Sequence, residues 1–283
     1  MPLVTTGELL LEAYAASRAV GAFNVLHLET AEALAAGAES SGLPLILQIS
    51  QNCVEFHGDL RPITDATLAI ARNSTARLAV HIDHAESEEL VDRALEAGMS
   101  SVMFDASRLP YAQNVARTAA VAARVHRHGA TIEAELGEVG GKDGVHAPGV
   151  RTDPEEAARF VAGTGIDALA VAVGSSHAMT RRDAQLDHAL IRRLDERLDL
   201  PLVLHGSSGA SDEEIAAAIA EGITKVNVST HLNAAFTVAV RERLAVDPAV
   251  VDSRRYLGAG RTALSAEAAR LQLLFAGAEP SRV

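Results

Sequence analysis

Short apolar, β-branched runs recur along this chain with helical patterns between them. They are "VGAFNV" (20–25), "LPLILQIS" (43–50), "LAVHID" (78–83), "SSVMFD" (100–105), "ATIEAEL" (130–136), "DALAVAV" (167–173), "LPLVLHG" (200–206) and "ITKVNVS" (223–229). The helical patterns carry their own punctuation. "ETAEALAAGAESSG" and "SEELVDRALEAG" each end at a glycine, a common helix stop. "DPEEAARFVAGTG" opens with an N-cap Asp, a Pro in the first turn and two acids, and "SDEEIAAAIAEG" repeats the logic with Ser211 as N-cap. Nearly continuous apolar strands alternating with helices need a parallel sheet covered on both faces. Eight such units in about 230 residues predict a closed (β/α)8 TIM barrel, with a doubly wound open sheet as the alternative. The segment after about 245 reads as an extra C-terminal helix. No linker, low-complexity tract or charge block divides residues 1–283, so one domain is expected.

Composition narrows the function classes. A net charge of −12 argues against nucleic acid as a partner, since phosphate contacts need clustered Lys and Arg, but allows a local pocket for a small phosphorylated ligand. There is no long apolar run and no basic segment leading into one, so neither a membrane span nor a signal peptide is expected. Cys53 is the only cysteine, which rules out an intrachain disulfide and fits a cytoplasmic setting. Lysine is scarce: Lys142 and Lys225 stand against 23 Arg.

The polar residues collect at strand ends. Asn24, Asp83 with His84, Asp105, Glu133 with Glu135, His205 and Asn227 close strands 1, 3, 4, 5, 7 and 8, and His177 follows strand 6 in "VGSSH". In a barrel these ends form one rim, where active sites are built. Three His from three strands suit a Zn²⁺ site with an open fourth position, and His84, His177 and His205 are the best trio. His81 shares a face with Asp83 one layer deeper and reads as a packed or supporting histidine. His27, His57, His126, His128, His146, His188 and His231 read as surface or loop residues, His27 and His146 falling in segments that could border the rim. Ser207 and Ser208 in "HGSSGAS" lack the spacing of a hydrolase nucleophile elbow. Together with "NVST" (227–230) they read better as paired backbone cradles for phosphate after strands 7 and 8.

With "AFNV", "HIDH", "SVMFDAS", "EAELGEVGG", "AVAVGSSH", "LVLHGSSG" and "KVNVST" in this order, the chain resembles the class II, zinc-dependent ketose-bisphosphate aldolases from about residue 3 to about 262. The resemblance implies that Asp83 is the general acid/base and that His84, His177 and His205 hold the zinc, for which Co²⁺ could substitute. It implies that Glu135 and Asp105 line the metal site and can coordinate in an alternative position. Asn227, Ser229 and Thr230 match the segment that binds the dihydroxyacetone phosphate portion. Gly174, Gly206 and Ser208 match positions whose backbones bind phosphate and a monovalent cation, Na⁺ or K⁺. Asn24 and Ser50 match the side nearer the aldehyde fragment, and Arg261 in "YLGAGR" matches an arginine for the distal phosphate. The implied reaction is reversible cleavage of a ketose 1,6-bisphosphate, fructose or alternatively tagatose, by a homo-oligomer, a dimer or tetramer. A metal-dependent barrel hydrolase using the same three His is the alternative of a different class.

A Schiff-base mechanism is disfavoured by the two lysines. Lys225 faces the interior below the rim, where an ion pair is the expected role, and Lys142 lies in a glycine-flanked loop. That loop, "GEVGGKDGVHAP", departs from the family, which carries glutamate after the Gly-Gly. Asp143 takes the role of moving the enediolate proton on this reading, with Glu138 as its alternative.

Overall fold

The computed structural model describes residues 3–136, 151–176 and 181–278. Eight strands close a parallel barrel in the order of the sequence, β8 returning to pair with β1. The strands are β1 (Val20–Asn24), β2 (Leu45–Ser50), β3 (Leu78–Ala85), β4 (Ser101–Phe104), β5 (Thr131–Glu135), β6 (Ala168–Ala170), β7 (Leu202–Leu204) and β8 (Ile223–Val228). Each coincides with one of the apolar runs, and the closed barrel rules out the open sheet. Helix α1 (Thr6–Ala15) precedes β1, and α2 (Leu28–Ser41) follows it. Next come α3 (Gln51–His57), α4 (Leu60–Asn73), α5 (Glu88–Glu96), α6 (Tyr111–Arg127), α7 (Pro154–Thr164), α8 (His188–Arg197) and α9 (Asp212–Ala220). Two further helices, α10 (Thr230–Val246) and α11 (Ser253–Phe275), end the described chain, α11 being the expected extra helix.

The caps act as the residue types dictate. Asp153 accepts from the Glu156 amide ahead of Pro154, Ser211 accepts from the Glu214 amide, and Gly42 and Gly165 close α2 and α7 in the left-handed region. These contacts satisfy orphan backbone groups that would otherwise lie unpaired at the helix ends.

Strand alternation sorts the side chains into an outer core beneath the helices and an inner column. The floor of the column is apolar: Val20, Ala22, Ile46, Ala79, Met103, Ala168, Ala170 and Val203 pack together with Leu9 and Leu10 of α1. Helix α1 therefore plugs the N-terminal mouth of the barrel. Two residues beyond Ile46 and Ala79 the column turns polar with Gln48 and His81, and Ser101, opposite His81 in the β3–β4 register, is buried along with Glu133 and Lys225. His81 Nδ1 meets Ser101 Oγ at 2.7 Å, and Ser101 Oγ donates to Thr6 Oγ1 at 2.7 Å, tying this polar layer to the plug. At the C-terminal mouth stand Asn24, Ser50, Asp83, Asp105, Glu135, His205 and Asn227.

Since Leu9 is buried against the apolar floor of the barrel, Leu9→Ala should lower stability by about 2–5 kcal/mol through loss of contact and the cavity left behind. Urea unfolding checks this, and an unchanged midpoint would show that α1 is not a plug.

Candidate active site and metal centre

Asp83 and His84 are adjacent on β3, so regular alternation would send them to opposite faces. The chain avoids this with a bulge. Ile82 pairs with Val102 but Ala85 with Phe104, so β3 carries one extra residue, and His84 sits there at φ 51°. A non-glycine residue in the left-handed region costs about 1–3 kcal/mol, a cost found where a site demands it. The result is that both side chains reach the same cavity.

Asp83 is buried and held by two amides. Gln48 Nε2 donates to one carboxylate oxygen at 3.4 Å and Asn227 Nδ2 to the other at 3.3 Å, while Gln48 also donates to Asn24 Oδ1 at 2.7 Å. Burial alone would raise the Asp83 carboxyl, but His84, His205 and Lys225 outweigh it and hold it below the ordinary value. Asp83 is thus an ionised carboxylate in a fixed rotamer.

The two imidazoles face one another through different nitrogens. His84 Nε2 and His205 Nδ1 lie 3.1 Å apart. Each ring places its other nitrogen on a carboxylate: His84 Nδ1 on Asp105 Oδ2 at 2.9 Å, and His205 Nε2 on Glu133 Oε1 at 2.8 Å. Asp105 is itself fixed by the Ser107 amide and hydroxyl at 3.1 and 2.6 Å. Glu133 spends its second oxygen on Lys225 Nζ at 2.6 Å, the buried ion pair expected for that lysine. Two ligands about 2.0–2.1 Å from a tetrahedral zinc stand roughly 3.3 Å apart, so the facing nitrogens fit one ion, and the carboxylates behind them set ring orientation and tautomer. Ligand atoms of Asp83, His84 and His205 fall within 4.8 Å of one another, as do those of His84, Asp105 and Glu135, giving two overlapping candidate metal positions. Burial alone would lower the His84 imidazole. Asp83, the bond to Asp105 and the charge of Glu135 reverse that and raise it to about 9, so metal binding there displaces a proton.

The cavity between these groups and the loops after β7 and β8 is lined by Asn24, Ser50, Asp83, His84, His205, Gly206, Ser208, Asn227, Ser229 and Thr230, all expected from the sequence, and by Gln48 and Asn52. Gln48 was legible in principle, as a polar residue at an inward position of an apolar strand. Ser207 is buried beside the cavity and donates to the Asn227 carbonyl. Gly206 adopts φ 66°, and a Cβ there would stand 2.5 Å from the Ser176 carbonyl; one on Gly174, at φ 119°, would stand 2.4 Å from the Gln185 carbonyl. Both therefore need glycine. Arg261 lies on α11 with its guanidinium on Glu32 at 3.0 Å and does not line the cavity. His231, taken from the sequence for a surface residue, is half-buried in the first turn of α10 with Nε2 on Glu267 at 2.6 Å. His177, Asp143, Glu138, Lys142 and His146 lie outside the described residues.

These features place the chain among the (β/α)8 barrels that carry a histidine–carboxylate site at the C-terminal mouth. Comparison with known proteins narrows the class. The family model for class II fructose-bisphosphate aldolase matches residues 4–279. The fructose-bisphosphate aldolase of Geobacillus stearothermophilus is 41% identical over 270 residues, covering 94% of each chain. A probable fructose-bisphosphate aldolase of Bacillus subtilis (strain 168) is 40% identical over 268 residues, covering 93% of this chain and 94% of its own. The crystal structure of the YdjI aldolase from Escherichia coli K12 superposes with a TM-score of 0.83 at 31% identity, covering 96% of this chain and 97% of the other. The chain belongs to the class II fructose-bisphosphate aldolase family.

Glu133 holds the nitrogen of His205 that faces away from His84. Glu133→Gln should therefore weaken zinc affinity about 10–100-fold, the usual worth of such a supporting contact. Competition with a fluorescent chelator measures it, and wild-type affinity in the variant would remove Glu133 from the metal centre.

Proposed function

We propose that the chain catalyses the reversible aldol cleavage of fructose 1,6-bisphosphate to dihydroxyacetone phosphate and glyceraldehyde 3-phosphate. The observation that carries this reading is Asp83, fixed by Gln48 and Asn227 beside the facing nitrogens of His84 and His205. His84, His177 and His205 would hold a zinc ion, with Asp105 and Glu135 available for the neighbouring position. Bound there, zinc supplies a Lewis acid for the negative charge that develops on the ketone side of the substrate. Asp83 removes the C4 hydroxyl proton as the C3–C4 bond breaks, and returns it to the new alkoxide in the condensation direction. Its two amide donors keep it aimed, the neighbouring His84, His205 and Lys225 keep it ionised, and burial excludes water that would compete for the proton.

The phosphate of the dihydroxyacetone portion is assigned to the loops after β7 and β8. Gly206 brings backbone close to the cavity, Ser208 Oγ already accepts from the His231 amide and so has its own proton to donate, and Ser229 and Thr230 stand where α10 begins. The N-terminus of a helix favours an anion. Asn24 and Ser50, across the cavity, are assigned to the aldehyde side. The relatives' names support fructose over tagatose as the sugar, and the whole-chain relationship supports an aldolase over a metal-dependent hydrolase. Among the described residues no helix is long and apolar enough to cross a membrane, in keeping with a cytoplasmic enzyme. Association of copies is supported by α10, which exposes Val238, Leu244 and Val246 and of whose side chains only Leu232 is buried.

Cleavage should depend on metal and not on lysine. EDTA should abolish it, Zn²⁺ or Co²⁺ should restore it, and borohydride with substrate should leave the enzyme active. A panel of ketose mono- and bisphosphates in the same coupled assay identifies the sugar. Borohydride inactivation with indifference to EDTA would contradict the assignment.

Asp83→Ala should retain zinc and lose about 10²–10⁴-fold in kcat, the worth of a general acid/base, whereas His84→Ala should lose zinc affinity as well. Metal analysis of the purified variants separates the two roles: an Asp83→Ala protein without zinc would make Asp83 a ligand.

A further inference from the structure

The loop after β7 is enclosed by a ring of polar contacts that begins and ends on it. Ser208 Oγ accepts from the His231 amide at 3.2 Å. His231 Nε2 reaches Glu267 Oε1 on α11 at 2.6 Å, and Glu267 takes Arg270 Nη2 and Nε at 2.7 and 2.9 Å. Arg270 Nη1 then meets Asp212 Oδ2 at 2.5 Å, in the first turn of α9. Asp212 Oδ1 takes Arg182 Nη2 at 2.6 Å, and Arg182 Nε donates to the Ala210 carbonyl at 2.7 Å, which returns the chain of contacts to the loop.

Isolated surface ion pairs contribute little, but this is a network with bidentate geometry and side chains that are between 21 and 40% exposed. It also has a direction. Its members come from α9, α10, α11 and the segment before α8, and none of them except Ser208 lines the cavity. Burial alone would raise the Glu267 carboxyl, yet His231 and Arg270 bring it down to about 2, so it stays a carboxylate at working pH. The ring touches both stretches that flank the anion-binding end of the cavity: residues 208–210 at two points, and the first turn of α10 through His231.

We propose that this ring is a positioning device for the substrate phosphate, with His231 and Glu267 setting the spacing between the loop after β7 and the start of α10. The proposal rests on the reading of those two segments as the phosphate cradle. A cradle of backbone amides and hydroxyls binds only if its two halves stand at the right separation; the Ser207 hydroxyl on the Asn227 carbonyl joins them at their base, and at the start of α10 the contact between them is the His231–Ser208 bond. Pinning His231 to α11 and Ala210 to α9 through Arg182 holds both halves against the same pair of helices.

The test uses inorganic phosphate as probe, by calorimetry on the zinc-loaded enzyme, alongside KM and kcat for fructose 1,6-bisphosphate. His231→Phe and Glu267→Gln break one arm of the ring and Arg182→Met the other. Each should raise the phosphate dissociation constant and KM about 5- to 30-fold, the range expected for removing one member of a coupled network. Zinc content should be unchanged and kcat should stay within about twofold, the pattern for loss of uniform binding. His231→Gln, which retains a donor toward Glu267, should bind phosphate nearly as the wild type does. Unchanged phosphate affinity in all three breaking variants overturns the proposal, as does a parallel fall in kcat, zinc content and melting temperature, which would mark the ring as scaffold alone. Should the wild-type enzyme itself fail to bind phosphate, the cradle reading falls first and the ring proposal with it.

Discussion

The polar chemistry at the mouth of this barrel depends on one buried ion pair, Lys225 with Glu133. A lone charge in the barrel interior would be prohibitively costly, and breaking a buried pair by removing one partner typically destabilises by about 3–5 kcal/mol. Lys225 occupies one oxygen of Glu133 and so commits the other to His205. That bond fixes the His205 ring, which presents Nδ1 to His84. His84 is fixed in turn by Asp105, and Asp105 by Ser107. Each group at the rim is thus oriented by a neighbour lower in the barrel or beside it. The same interior is anchored at its other end, where His81, Ser101 and Thr6 join the polar layer to the plug helix. Specificity of geometry at the mouth is therefore a property of the whole column and not of the loops alone.

Much of this was legible beforehand. Eight apolar runs gave eight strands because a strand buried on both faces cannot be written any other way, and Asp153, Ser211, Gly42 and Gly165 marked helix ends by the backbone groups they satisfy. Period-two alternation placed Asp83, Asn227 and Lys225 inward. What alternation could not yield is the bulge at His84. Nothing in "HIDHAE" announces a left-handed histidine, since the conformation is imposed by pairing with β4. Gln48 obeys the inward period but lies a layer below the strand end, where polar residues attract less notice than at the rim, and the pattern that marked Glu133 could not show that its two oxygens go to His205 and Lys225. Arg261 illustrates a different barrier. Its place depends on how α11 docks on α2, and there Glu32 takes its guanidinium. His231 and Glu267 are likewise joined only by the packing of α10 on α11, across 36 positions of sequence.

The unequal use of the two histidines has a consequence for substitution chemistry. His84 turns its distal ring nitrogen, Nε2, toward the shared position, whereas His205 turns its proximal one, Nδ1. The side-chain amide of asparagine overlays the proximal nitrogen of histidine, and that of glutamine overlays the distal one. The barrel mouth therefore has a handedness toward isosteres: the amide of glutamine would reach the shared position from the place of His84 and that of asparagine from the place of His205, but not the reverse. Either exchange gives up the carboxylate behind the ring, Asp105 at His84 and Glu133 at His205, so an amide that reaches the shared position still loses the support beneath it. The two positions, interchangeable in a bare count of imidazoles, are chemically distinct sites.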